Sequence, residues 1–164
     1  MTVYAIDKLI AETRRVAAEF RRSTGQTLPV SGEIAKYDAA RLLGLNACEQ
    51  RTDGVDATER VDGTGLRYQI KARIIADGKK SGARLGQLNP DGAWDRILLV
   101  IMDTDYEPCE IHAADRADIL DALGDTAGSR RTNRGALSVA KFKIISELVW
   151  TRENGLEETL WTNN

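Results

Sequence analysis

Apolar and polar positions alternate along this chain in two distinct rhythms. Over residues 4–23, Ile6, Leu9, Ile10, Thr13, Val16, Ala17 and Phe20 recur at steps of three and four, the single apolar stripe of a helix. Gly25 and Pro29 bracket a linker that ends it. The same period predicts a second helix over residues 31–44, with Ile34, Ala35, Ala39, Leu42 and Leu43 inward. Ser31 is placed to cap it and Gly44 to stop it. Within residues 54–73 the rhythm becomes that of two strands, and Asp62-Gly63 between them is a two-residue hairpin signal.

Residues 74–93 follow as a long connection with four glycines, a length that favours a functional or mobile loop. Residues 96–102 (RILLVIM) form a nearly unbroken apolar run, as expected of a central strand buried on both faces. A turn at 105–108 leads to a shorter strand at 109–113, and Asp115 is placed to cap a helix that Gly124 ends. After a polar loop at 125–133, a last helix is expected over 135–150, with Leu137, Ala140, Ile144, Ile145, Leu148 and Val149 inward. The expected class is therefore α/β (α+β), a mixed central sheet flanked by helices. One domain would span residues 1–150, with an acidic, peripheral tail at 151–164 in which Leu160 and Trp161 could dock.

Composition adds exclusions. At 164 residues, 42% hydrophobic and 29% charged, the chain can bury a core without covalent staples. No apolar run is long enough to span a bilayer and the first residues lack a signal-peptide pattern, so a cytoplasmic protein without a membrane partner is expected. Cys48 and Cys109 lack metal-type spacing and read as free, mostly buried thiols. A single histidine, His112, excludes a multi-histidine metal site. The net charge of −2 gives no general steering toward nucleic acid, so any such contact must rest on local patches. Arg14, Arg15, Arg21 and Arg22 on the first helix form one, read as a solvated face or a phosphate-contacting one. Lys79, Lys80 and Arg84 in the long connection could close over an anion, and Arg130 and Arg131 extend the basic character of the later loop.

Candidate chemistry centres on the hairpin. With the turn at Asp62-Gly63, Val61 faces Thr64, and counting outward places Asp56 opposite Gln69. Strand alternation then puts Gln69, Lys71 and Arg73 on one face and Tyr68, Ile70 and Ala72 on the other. Glu33 falls in the first turn of its helix, where a carboxylate suits the dipole; sharing a face with Tyr37 and Arg41, it could instead project toward the hairpin. Asp95 reads as a loop residue, with metal contact as its alternative. Without a metal, these residues would form a half-buried polar network, Lys71 paired with Asp56 or Glu33 and bridged by Gln69.

The order of Glu33 on a helix, Asp56 on a strand and Gln69-Ile70-Lys71 on the next strand resembles the PD-(D/E)xK nuclease superfamily, over residues 31–102. Val55 replaces the motif's proline, and Gln69 stands where most members carry an acid, although some active members also have glutamine there. The resemblance implies a restriction-endonuclease-like fold and a metal-dependent DNA endonuclease. Mg²⁺ or Mn²⁺ would be held by Asp56, the Gln69 carbonyl oxygen, the backbone carbonyl of Ile70 and Glu33. Lys71 would orient or deprotonate the attacking water. Arg73 would contact a neighbouring phosphate, and cutting two strands would call for a homodimer or a partner protein. The alternative is a nuclease-fold module without catalysis that binds nucleic acid or a protein; a third reading is a metal-independent interaction domain.

Overall fold

The computed structural model describes residues 3–62, 64–76, 83–86, 88–125 and 137–157. Helices α1 (Val3–Thr24) and α2 (Ser31–Leu43) lead into the strands β1 (Asn46–Thr52), β2 (Val55–Thr58), β3 (Arg67–Ile74), β4 (Arg96–Met102) and β5 (Pro108–Asp115). Helices α3 (Arg116–Asp125) and α4 (Val139–Ile145) follow, and then strands β6 (Glu147–Thr151) and β7 (Gly155–Leu156). The seven strands form one mixed sheet in which spatial order equals chain order. β3 and β4 run parallel and the other described pairs antiparallel. The fold class is the expected one, a mixed sheet flanked by helices.

β4 explains how the layers hold. Leu98, Val100 and Met102 pack with Ala17 of α1 and with Ile34, Ala35, Ala39 and Leu43 of α2. Ile97, Leu99 and Ile101 pack the other way, against Ile119 and Ala122 of α3 and Val139 and Phe142 of α4. A strand apolar at every position is what burial on both faces requires. The parallel β3–β4 pair needs a crossover. Its described part is no loose loop, because Leu85, Leu88 and Trp94 are fully buried under the second face. There Leu85 N–H donates to Leu137 O, and Val139 N–H to Ala83 O.

Several expectations need correction. β1 was not anticipated; it turns into β2 through Asp53 and Gly54, both at positive φ (54° and 77°), the requirement of a type I′ turn. Ser31 is not the cap of α2: Val30 occupies that position and makes no side-chain cap bond, whereas Gly44 does terminate the helix at φ 68°. Asp115 ends β5, and its carboxylate accepts a 2.7 Å hydrogen bond from Arg96 Nε. The helix expected over 135–150 is the short α4 followed by β6. In α1, Leu9 and Val16 of the apolar stripe stay exposed. Arg14, expected on the outer face, is largely buried, its guanidinium gripping both oxygens of the fully buried Asp38 and the carbonyl of Tyr106.

Candidate functional site

The site begins with an interrupted ladder. Ala57 pairs with Tyr68 and Thr58 with Arg67, a register that, if extended, would set Asp56 opposite Gln69 and Val55 opposite Ile70. Glu59 N–H donates to Leu66 O across the same two segments. Hydrogen-bonded pairs alternate in an antiparallel ladder, which makes Ala57/Tyr68 and then Val55/Ile70 the next such pairs. At the last step the ladder is diverted: Ile70 N–H donates instead to Asp56 Oδ2 at 2.8 Å. Val55 meanwhile pairs with Thr52 of β1. A carboxylate thus sits where β2 and β3 part, and the Ile70 carbonyl points to the same strand edge as its N–H.

Over this gap lies a cavity of about 250 Å³, lined by Ser31, Gly32 and Lys36 of α2, Asp56 of β2, and Ile70, Lys71, Ala72 and Arg73 of β3. Asp56 and Lys71, distant in the chain, share one space. The Asp56 side chain is 1% exposed and its Oδ1 lies 3.9 Å from Lys36 Nζ. Lys36 Nζ in turn holds Glu33 Oε1 at 2.9 Å, while the Glu33 side chain is 74% exposed at the rim. Gln69 is buried; its Nε2 donates to Gly54 O at 3.1 Å, and its Oε1 has no hydrogen-bond partner among the described residues. The Gly54 carbonyl can only accept, so it fixes which end of the amide is nitrogen.

The basic residues divide. Arg73 is half-buried, and burial pulls its pKa below the usual arginine value. Its Nε donates to Arg84 O at 2.7 Å, which ties the crossover to the cavity wall. A Cβ built on Gly86 would stand 3.6 Å from Arg73 Nη2 and 3.9 Å from Lys71 Nζ, so this segment runs alongside both cations. Arg84 itself is exposed. Lys79, Lys80, Arg130 and Arg131 lie outside the described residues. Asp95 belongs to a structural pair, accepting from Arg67 N–H at 2.8 Å and from its guanidinium, whose hydrogen bonds hold the Asp95 carboxyl below its usual pKa. Lys36 is the participant that sequence reading missed. Its only signal was the three-residue step from Glu33, which every solvated helical pair shares.

The oxygen donors are of the kind a hard cation takes, but they do not all line the cavity: Asp56 and Ile70 do, whereas Gln69, whose buried Oε1 has no hydrogen-bond partner among the described residues, and Glu33 are not among its lining residues. Among the described residues, no group of three or more His, Cys, Asp or Glu is placed to hold a metal ion. Any ion in the cavity would therefore rely on backbone or neutral oxygens in addition to Asp56. No protein-family model and no curated protein matches this chain. No helix among the described residues is long and apolar enough to cross a membrane.

Proposed function

We propose that this chain is a metal-dependent endonuclease hydrolysing phosphodiester bonds in DNA. One observation carries the reading: Asp56, Ile70, Lys71 and Arg73 line a single cavity at the break between β2 and β3. Asp56, Gln69 Oε1 and the Ile70 carbonyl would hold Mg²⁺ or Mn²⁺, with Glu33 supplying negative charge from the rim. Bound there, such an ion would neutralise phosphate charge and acidify a water. Lys71 then orients the attacking water and stabilises charge building on the phosphate, and Arg73 grips an adjacent phosphate oxygen.

The test uses plasmid, single-stranded and branched DNA with Mg²⁺ or Mn²⁺. Cleavage should fall by at least about 100-fold in Lys71→Ala and in Asp56→Ala, the lower end of what a positioned acid–base group contributes. Cleavage indifferent to both changes removes this site from the mechanism. No cleavage of any substrate assigns the chain to the second reading, a binding module without catalysis, which the neutral Gln69 and the Lys36–Asp56 pairing favour.

A further inference from the structure

We infer that Lys36 occupies the cation position of this cavity in the metal-free protein, and that a divalent ion binds only by displacing it. The inference rests on the proposed metal site and adds its regulation. Lys36 Nζ stands between two carboxylates, 2.9 Å from Glu33 Oε1 and 3.9 Å from Asp56 Oδ1. It comes from α2, one turn after Glu33, and so approaches Asp56 from across the cavity and not from the strand that carries Lys71.

Asp56 explains why a cation is needed there. Its side chain is 1% exposed, and its Oδ2 is engaged by the Ile70 N–H. A buried carboxylate is costly without compensating charge, and the ammonium of Lys36 contributes to that charge when no metal is present. The two cations cannot share the position. A hard divalent ion approaches a carboxylate oxygen to about 2 Å, deep inside the space an ammonium holds at 3.9 Å, and in a half-buried site their repulsion is only weakly screened. Lys36 has somewhere to go, since its side chain is 29% exposed on a flexible four-carbon stem. Displaced, it remains on the wall of a cavity that Lys71 and Arg73 also line. The loss of a partner at Asp56 thus becomes an added cation for an anionic substrate.

The experiment is calorimetric titration of MnCl₂ into the full-length chain, with no activity readout. Lys36→Met keeps the stem and removes the charge, and should bind Mn²⁺ at least about tenfold more tightly than the parent, a typical coupling between linked sites. Lys36→Arg keeps the charge and should match the parent, and Asp56→Asn should abolish binding. Should Lys36→Met fail to fold by circular dichroism, Lys36→Gln makes the same comparison. Equal affinity in the parent and the uncharged variant, with binding still lost in Asp56→Asn, overturns the displacement while the metal site stands. Weaker binding in the uncharged variant also overturns it, since Lys36 would then be organising the ligands. Absence of binding in every protein overturns both the inference and the metal site on which it rests.

Discussion

A methyl group at position 54 would meet Gln69 Nε2 at 2.8 Å, on a backbone already at φ +77°. Gly54→Ala therefore combines left-handed strain with displacement of the amide that Gly54 O now holds. We expect a loss of about 1–3 kcal/mol in urea unfolding. A variant as stable as its parent would show that Gln69 is not fixed by this turn. The register of β2 on β3 was legible in the sequence, because strand alternation and a turn suffice to count it, and Ala57–Tyr68, Thr58–Arg67 and the Glu59–Leu66 hydrogen bond keep the count that sets Asp56 against Gln69. Gly63, at the expected turn, lies outside the described residues; beside it, Asp62 Oδ1 accepts from both the N–H and hydroxyl of Thr64. Lys36 was not legible. Its meeting with Asp56 depends on how α2 lies across β2, and no local period encodes that.

Elements were readable where one period dominated and unreadable where two competed. β4 emerged within its expected bounds, since an apolar residue at every position fits only a strand buried on both faces. Residues 135–150 satisfied a helical period, yet α4 stops at Ile145, Ser146 is extended (φ −108°, ψ 170°), and β6 pairs with β5. In β6, Val149 and Thr151 are buried and Glu147 is exposed, the alternation of a strand, and the open edge of β5 supplied the ladder that decided it. β1 carries its own signal: Asp53-Gly54 is the same dipeptide that recurs nine residues later as Asp62-Gly63. How α1 docks on α2 rests on Arg14 and Asp38, whose atoms meet at 2.7 and 2.8 Å. The hydrogen bonds that Arg14 donates to Asp38 raise the Arg14 pKa further and hold it charged. Asp38→Ala removes that guanidinium's buried carboxylate partner and should cost about 3–5 kcal/mol in urea unfolding, whereas Arg14→Met with Asp38→Leu should cost far less. Equal losses in the single and double variants would mean that the pair supplies packing and not charge compensation.

For the molecule as a whole, charge nearly balances at −2, so stability depends on which charges the fold buries. His112 is the chain's only histidine and is 7% exposed, on the sheet face covered by α4. Desolvation lowers its pKa from 6.5; Glu110 on its own strand opposes the shift, and Lys143 of α4 reinforces it. Lys143 Nζ also lies 3.0 Å from Glu110 Oε1. Burial would raise the Glu110 pKa, but hydrogen bonding and charge from Lys143 and His112 outweigh it and leave the carboxyl below its usual value. At pH well above 6.5 the histidine is neutral both folded and unfolded, and contributes no pH dependence. Below 6.5 the unfolded chain gains a proton that the folded chain refuses, so unfolding becomes easier as pH falls, until the folded histidine titrates as well. Carboxyls with lowered pKa, among them Asp95 and Glu110, act in the same direction but only as pH nears their ordinary values of 3.8 and 4.5. The interval just below 6.5 therefore belongs to His112. Urea unfolding at about pH 7.5, 6.5 and 5.5 should show stability declining through that interval, with the decline much reduced in His112→Leu. An undiminished slope in the variant would move the pH sensitivity elsewhere in the molecule and leave His112 a core residue with no proton linkage to folding.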